Sequence, residues 1–271
     1  MLSLFNTFFC FFLFFQGANA AIPISDQDAN DLPKILIIGA QKSGTRAFQM
    51  LLSQHPQILN RTGEIHFFDL HFEKGVDWYK EQFPQNNCPD LIKVDKSPYY
   101  LFHPLAAKRA YEVLPNAKLI VLLRNPIDRA YSQHQMNMRN KKTTISFLDA
   151  LKKENELNLK DPSSFALTET RIFSYLSRSI YVEQLKRWLT YYPLEQMLII
   201  SFDDLMHNPN KVMQEALQFL NLPEYDTFNF QVGEIQKYPP MDKALRQKLS
   251  DYFLPYNQEL ELLLGRQFNW N

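Results

Sequence analysis

The 271 residues are 45% hydrophobic, which is enough to form the core of one large domain or two small ones. The chain carries 29 basic and 29 acidic residues, so its net charge is zero and gives no general argument for nucleic-acid binding. Any site for an anion must therefore be a local cluster of basic side chains. We expect a monomer that binds no nucleic acid.

The first twenty residues predict a secretory signal peptide. They contain no charged residue, an apolar stretch over residues 2–15 and a small-x-small cleavage pattern at residues 18–20. The alternative is a membrane anchor formed by the same stretch, which is shorter than the about 20 residues that span a bilayer. We predict a cleaved signal, no later membrane span, and a protein of the secretory pathway, either in the Golgi lumen or secreted.

The remaining chain is predicted to be a single domain. Residues 21–33 are polar, acidic and bracketed by prolines, which indicates a linker that leads into a domain over residues 34–271. Cys88 is the one cysteine after the signal, so no internal disulfide is expected.

Short apolar runs alternate with helical patterns along this domain. The runs predict buried strands at residues 34–39, 91–95, 118–123 and 196–202. The helical patterns cover residues 45–56, 104–115, 181–193 and 242–264. This alternation predicts an α/β fold with a parallel sheet, in which ligands bind at the carboxyl ends of the strands.

The segment GAQKSGTRAF, residues 39–48, lies at one such strand end. Gly39 and Gly44 allow backbone N–H groups to converge at the positive end of a helix dipole, which is a cradle for phosphate or sulfate. Cationic and hydroxyl side chains surround these glycines: Lys42, Ser43, Thr45 and Arg46. The alternative is an ordinary glycine-containing turn between a strand and a helix.

The order of residues in this loop differs from that of an ATP-binding loop. A Walker-type loop has Lys and then Ser or Thr after the second glycine, because the hydroxyl holds Mg²⁺. Here Thr45 and Arg46 follow Gly44, and the strand at 118–123 is followed by Arg124 rather than by an aspartate. The sequence favours a metal-free site for an anionic nucleotide over a small-molecule kinase, and magnesium dependence would separate the two.

The stretch LLRNPIDRAYS supplies a second anion-binding element. Arg124 follows a strand, Pro126 begins a helix, and Ser132 lies about two turns into that helix. The alternative is an ion pair between Arg124 and Asp128. Two such elements at two strand ends suggest a nucleotide with separated phosphates.

These stretches resemble sulfotransferases that use 3′-phosphoadenosine-5′-phosphosulfate (PAPS). IIGAQKSGTRAF is similar to their 5′-phosphosulfate loop, and LIVLLRNPIDRAYSQH is similar to their 3′-phosphate element. GEIHFFDLHFEKGVDWYKEQFP and VDKSPYYL resemble the heparan-sulfate branch, the glucosaminyl 3-O- and N-sulfotransferases. The tail resembles compact prokaryotic-type members, so the resemblance covers residues 34–270.

The resemblance implies a P-loop NTPase-like fold, a parallel sheet flanked by helices, that binds PAPS without a metal and sulfates a glycosaminoglycan-like carbohydrate. It assigns the 5′-phosphosulfate to Lys42, Ser43, Gly44, Thr45 and Arg46, and the 3′-phosphate to Arg124 and Ser132.

The acceptor side follows from the same resemblance. Glu64 matches the general base of the family, while His66, Asp69 and Lys96 match positions that line the acceptor hydroxyl and the leaving group. Chemistry agrees, because a sugar hydroxyl is a poor nucleophile and in-line transfer depends on positioning and charge stabilisation. Read without the resemblance, Glu64 is a loop acid exposed to solvent and His66 is a core histidine.

The sequence departs from the family pattern near its C-terminus. Animal heparan-sulfate enzymes carry a disulfide-closed loop with a Lys-Gly-Arg there, whereas residues 233–242, GEIQKYPPMD, contain no cysteine and no Gly-Arg. Lys237 is a partial substitute. Whether a hydroxyl or an amine is sulfated stays open, as does the role of the basic residues 139–142, either a solvated helix end or a contact for a polyanionic acceptor. A secreted glycan-binding protein without catalysis is the remaining alternative.

Overall fold

The computed structural model describes residues 31–59, 63–84, 91–225, 228–230 and 238–270. The predicted signal peptide, most of the predicted linker, Cys88 and Lys237 lie outside these ranges.

Five parallel strands form one sheet in the order β2-β3-β1-β4-β5. The strands are β1 (Ile35–Gly39), β2 (Ile58–Leu59), β3 (Ile92–Lys96), β4 (Lys118–Leu123) and β5 (Met197–Ser201). The four predicted strands are confirmed to within a residue at either end. β2 was missed, because two residues are too few to show a strand pattern.

Helices cover both faces of this sheet, so the predicted α/β class is confirmed. The helices are α1 (Thr45–Leu52), α2 (Phe67–Leu70), α3 (Gly75–Glu81), α4 (Ala106–Val113), α5 (Pro126–Arg139), α6 (Phe147–Glu154), α7 (Thr168–Phe173), α8 (Tyr181–Leu189), α9 (Phe202–His207), α10 (Pro209–Leu220) and α11 (Lys243–Leu264). Across the part of the chain that the structure describes, none of these helices is long and apolar enough to cross a membrane.

The helix ends show where the sequence patterns were too long. The patterns at 45–56, 104–115 and 181–193 each included residues beyond the helix. The first and third helices end four residues before Pro56 and Pro193, and the second lies between Pro104 and Pro115. The last helix begins as expected, since the Asp242 side chain accepts a hydrogen bond from the Leu245 N–H. Gly265 ends it in the left-handed conformation.

Two hydrophobic clusters pack against opposite faces of the sheet, and one of them reaches back into the predicted linker. Leu32 is 2% exposed and belongs to the larger cluster. The Lys93 ammonium also donates to the Asp31 carbonyl oxygen, over 2.9 Å. Residues 31–33 were predicted as linker because Asp31 and Pro33 are polar or helix-breaking, but Leu32 fixes this segment to the core.

The strand order sets the position of the site. β3 and β4 lie on either side of β1, so Lys96, the loop after Gly39 and Arg124 all emerge at the same edge of the sheet. Only glycine fits at position 39, because a Cβ atom there would lie 2.6 Å from Leu101 Cβ.

Candidate active site

The loop between β1 and α1 folds into a tight backbone cradle. The Ala40 N–H donates to the Leu122 carbonyl oxygen, and the Ser43 N–H donates back to the Ala40 carbonyl oxygen. Lys42 and Gly44 adopt left-handed φ angles of 73° and 86°, which turn the chain into the helix. No side chain of the described residues caps α1 at Gly44, so the N–H groups of its first turn face a potential anion.

Lys42 is the half-buried cation of this loop. It forms no ion pair with any carboxylate of the described residues. Burial lowers the pKa of Lys42, and the nearby positive charges of Arg139, Arg124 and Arg129 lower it further. The positive charges of Lys42 and these three arginines repel one another, and a bound anion would reduce this repulsion.

The other predicted loop residues differ in their exposure. Arg46 is exposed on α1, whereas Thr45 is buried. Ser43 is fully buried, and its side chain approaches the Tyr181 hydroxyl rather than the solvent. Lys42 and Arg46 are therefore the loop side chains that reach outward in this conformation.

Arg124 joins the second predicted element to the loop. Its guanidinium donates to the Lys42 carbonyl oxygen over 3.3 Å and lies over the Phe202 ring, 4.6 Å from its centroid. The alternative pair between Arg124 and Asp128 is not formed, since Asp128 binds Arg246 over 2.7 Å. Ser132 is buried two turns into α5, as predicted for its position on the helix.

A cavity of about 510 Å³ opens beside Arg124. Its other lining residues include Phe202, Lys243, Arg246 and Trp270. Sequence reasoning missed Phe202, although its position directly after a buried strand could have indicated it. Trp270 carried no such signal, because the tail reaches the site only through tertiary contacts such as the bond from the Asn125 amide to its carbonyl oxygen.

The four residues predicted for the acceptor side lie together at the end of β3. Glu64 Oε1 is 3.1 Å from the Lys96 ammonium, and Glu64 Oε2 is 3.2 Å from His66 Nε2. The other ring nitrogen, His66 Nδ1, is 2.7 Å from Asp69 Oδ2. The Glu64 side chain is 34% exposed while that of Asp69 is fully buried. Glu64 can therefore meet a ligand directly, whereas Asp69 acts on His66.

This arrangement fixes the charges of the two central groups. Burial alone raises the pKa of Glu64, but the hydrogen bond from His66 and the charge of Lys96 bring it below its usual value. Burial alone lowers the pKa of His66, but its hydrogen bonds to Asp69 and Glu64 raise it to about 9. At neutral pH the site holds a carboxylate beside an imidazolium and an ammonium.

A buried acid, Asp95, holds this arrangement to the sheet. It is fully buried on β3 and accepts hydrogen bonds from the hydroxyl groups of Tyr79, Tyr100 and Ser97 at 2.7–2.9 Å. Ser97 Oγ in turn accepts hydrogen bonds from the backbone N–H groups of Ile65 and His66. Sequence reasoning missed this support, although an aspartate inside an apolar strand is a sign of a buried polar network.

Residues 139–142, RNKK, begin at the last residue of α5 and are exposed. Among them, the charge of Arg139 lowers the pKa of Lys42, so this residue contributes to the potential at the loop.

Known proteins resemble this chain over most of its length. A family model described as sulfotransferase domain matches residues 32–238. Heparan sulfate glucosamine 3-O-sulfotransferase 5 of Mus musculus is 31% identical in an alignment of 269 positions that covers 88% of this chain and 74% of that protein. Bifunctional heparan sulfate N-deacetylase/N-sulfotransferase 3 of Homo sapiens is 33% identical in an alignment of 275 positions that covers 89% of this chain and 31% of that protein.

A third relative and a solved structure agree with these matches. Membrane-associated sulfotransferase kil1 of Dictyostelium discoideum is 27% identical in an alignment of 329 positions that covers 94% of this chain and 70% of that protein. The crystal structure of a sulfotransferase from Alicyclobacillus acidocaldarius has a TM-score of 0.74 at 28% identity, covering 88% of this chain and 98% of that one. This chain belongs to the sulfotransferase domain family and is a sulfotransferase with the P-loop NTPase-like fold.

Proposed function

We propose that this sulfotransferase moves the sulfuryl group of PAPS to a hydroxyl or amine of a glycosaminoglycan-like carbohydrate, with Glu64 as general base. One observation carries the proposal. The neighbouring strands β1 and β3 place two groups at the same edge of the sheet. One is the anion cradle with Lys42, which pairs with no carboxylate of the described residues. The other is the partly exposed carboxylate of Glu64, which lies 3.1 Å from Lys96. A donor anion and an acceptor hydroxyl can therefore meet between Lys42, Glu64 and Lys96.

The loop that carries Lys42 and the cavity beside Arg124 form the proposed donor side. In this proposal Lys42, the backbone of the loop, Thr45 and Arg46 bind the 5′-phosphosulfate, and Arg124 with Ser132 binds the 3′-phosphate. Burial lowers the pKa of Lys42 and the charges of three arginines lower it further; these positive charges favour occupation by an anion. The cavity beside Arg124, about 510 Å³ in volume, is within the size range of small-molecule sites and is assigned to the adenosine.

The ionised carboxylate of Glu64 is the centre of the proposed acceptor side. Its lowered pKa keeps it ionised at neutral pH, so it can accept the proton of an acceptor hydroxyl. The new bond joins the acceptor oxygen to sulfur while the bond from sulfur to the 5′-phosphate oxygen breaks. Lys96 neutralises charge that grows on the leaving oxygen. As Lys96 turns from Glu64 toward that oxygen, Glu64 loses a neighbouring cation and becomes a stronger base.

His66 and Asp69 hold this base in place. Asp69 binds Nδ1 of the imidazole and Glu64 faces Nε2, so the ring fixes the carboxylate from one side as Lys96 fixes it from the other. A base held in one orientation transfers a proton only to a hydroxyl in the matching position, which supports in-line transfer.

The class of acceptor is supported by the relatives. Two of them are named for transfer to heparan sulfate, one at a glucosamine 3-hydroxyl and one at nitrogen. Both atoms belong to a polyanionic carbohydrate, for which the exposed basic residues 139–142 offer a contact. We also propose a location in the secretory pathway, supported by the signal-like residues 1–20 and by the membrane association in the name of the Dictyostelium relative. Anchoring by residues 2–15 is the alternative.

The test is transfer of ³⁵S from labelled PAPS to a panel of carbohydrates. The panel includes heparan sulfate, its N-deacetylated and desulfated forms, chondroitin and a neutral glycan, and the labelled position is located by mass spectrometry. We expect the wild-type chain to label a glycosaminoglycan and Lys42→Met to label none. The control Lys248→Met, at an exposed lysine of α11, should transfer the label normally. A protein and a small phenol are assayed alongside, and label on either of them with none on any glycan would refute the acceptor class.

A further inference from the structure

Two arginines are buried behind the donor loop. Arg129 on α5 is fully buried, and Arg178 on the 3-10 turn Ser177–Ser179 is 4% exposed. Arginine is almost never this buried without a carboxylate partner. Neither one forms an ion pair with a carboxylate in the ranges that the structure describes. They donate instead to neutral oxygens, Arg129 to Ser179 and Gln133 and Arg178 to Ser174.

Both guanidinium groups meet at one residue of the loop, Gln41. Arg178 Nη1 lies 2.8 Å from the Gln41 side-chain oxygen, and Arg129 Nη1 lies 3.4 Å from its carbonyl oxygen. The C=O and N–H of a trans peptide point in opposite directions. With the Gln41 carbonyl directed inward to Arg129, the N–H of Lys42 is directed outward, to the face where the anion cradle opens.

The charge of the two arginines is compensated only in part. The buried carboxylate of Glu154 lies near and its charge acts on both, but it pairs with neither and instead accepts hydrogen bonds from the N–H groups of Leu176 and Ser177 and from the Ser177 hydroxyl. The outer face of Arg178 is covered by the Tyr99 ring, 4.4 Å from the guanidinium carbon to the ring centroid. A positive charge enclosed by apolar and neutral groups is screened poorly and acts over a longer distance than one in water.

The charge of Arg129 reaches the loop. Burial lowers the pKa of Arg129 to about 10, so this arginine stays protonated at neutral pH, and burial lowers the pKa of Arg178 as well. The charge of Arg129 is one of the causes that depress the pKa of Lys42. The same field that disfavours a proton on Lys42 favours an anion in front of it.

We infer that Arg129 and Arg178 are positioning residues of the donor site, which orient Gln41 from beneath the loop and supply positive charge that no directly paired carboxylate of the described residues cancels and that the bound phosphosulfate neutralises. This inference rests on the proposed function, since it takes the sulfated end of the nucleotide to occupy the loop. It explains why the residue that links both arginines is a neutral glutamine. A carboxylate in its place would pair with Arg178 and reduce the field.

The substitution Gln41→Glu separates this role from a purely structural one. A carboxylate at this side chain keeps the hydrogen bond from Arg178, leaves the backbone bond to Arg129 in place and compensates buried positive charge, so the melting temperature should stay the same or rise. Affinity for the desulfated nucleotide 3′-phosphoadenosine-5′-phosphate (PAP), measured by calorimetry, should fall about tenfold or more because the field at the loop is reduced. A structural role alone predicts the rise in stability without the loss of affinity.

Two further variants complete the test. Gln57→Glu adds the same charge at the amino end of β2, at the opposite edge of the sheet, and should bind PAP as the wild type does. Arg178→Lys keeps the charge and should retain affinity better than Arg178→Met. Unchanged PAP affinity in Gln41→Glu, or its unfolding, would overturn the inference. Absence of PAP binding by the wild-type chain would instead refute the proposed function.

Discussion

The imidazole of His66 lies 3.2 Å from the carboxylate of Glu64, and its other nitrogen lies 2.7 Å from Asp69. The ring is thus held between two acids, which raises its pKa to about 9. Lys96 approaches Glu64 from the other side. His66 and Lys96 together explain how the carboxylate of Glu64 can be ionised, fixed in orientation and still accessible to an acceptor.

The first prediction concerns the proposed base. Glu64→Gln keeps the size and one oxygen of the side chain but cannot accept a proton at neutral pH. We expect the rate of sulfuryl transfer to fall about 10²- to 10⁴-fold, while PAP affinity stays within a factor of about two. Single-turnover transfer and calorimetry measure the two quantities. The matched control is Glu81→Gln on the exposed end of α3, and equal transfer rates in both variants would rule out Glu64 as base.

The second prediction concerns pH. The pKa of His66 is raised from 6.5 to about 9, so its protonated form stabilises the fold fully below pH 6.5, and this contribution is lost as the pH rises through 9. The wild-type melting temperature should therefore decline between pH 6.5 and 9 more steeply than that of His66→Gln. Glu64, whose pKa is lowered, contributes above pH 4.5 and loses its contribution as the pH falls below that value. Parallel profiles of the two proteins between pH 6.5 and 9 would contradict this assignment.

The third prediction concerns the support of the acceptor side. Ser97→Ala removes the acceptor of two backbone N–H groups, those of Ile65 and His66. Leaving buried donors unsatisfied costs about 1–3 kcal/mol, and the loop that carries Glu64 loses its anchor. We expect a lower melting temperature and a lower kcat, with unchanged PAP affinity. The control is Ser164→Ala, at another buried serine, whose hydroxyl donates one hydrogen bond to the Asn158 carbonyl oxygen. This variant should leave kcat unchanged. A kcat as high in Ser97→Ala as in this control would show that the anchor is not needed.

The fourth prediction concerns the 3′-phosphate. Arg124→Ala removes a guanidinium that is stacked on Phe202 and bound to the Lys42 carbonyl. Loss of a charged hydrogen bond to phosphate corresponds to about 10- to 100-fold weaker binding. The loss should be smaller for adenosine-5′-phosphosulfate, which lacks the 3′-phosphate. Arg266→Ala is the control, because Arg266 likewise lies over an aromatic ring, that of Phe268. Equal losses for both nucleotides would assign Arg124 to another part of the ligand.

Sequence reasoning predicted the sheet and the positions of the chemistry better than their support. The strands at 35–39, 118–123 and 197–201 are predominantly apolar, because both faces of the sheet are covered, whereas the strand at 92–96 combines two apolar residues with Lys93, Asp95 and Lys96. Glu64 and Lys96 were named from short motifs, and the structure brings them within 3.1 Å.

The parts that were not predicted depend on long-range contacts. Trp270 reaches the cavity beside Arg124 from the far end of the chain, and Arg178 reaches Gln41 across 137 positions of sequence. The exposed or buried state of a side chain also depends on tertiary packing. Ser43 was expected to offer its hydroxyl to the donor, and its burial beside Tyr181 is a property of α8 that the loop sequence does not contain.

Calorimetric titration with PAP in the presence of EDTA tests the central claim most directly. The account predicts saturable binding at one site by the wild-type chain without divalent metal, and binding weakened at least about 100-fold in Lys42→Met combined with Arg124→Ala. No heat of binding in EDTA, with binding restored by magnesium, would contradict it, and so would undiminished binding by the double variant.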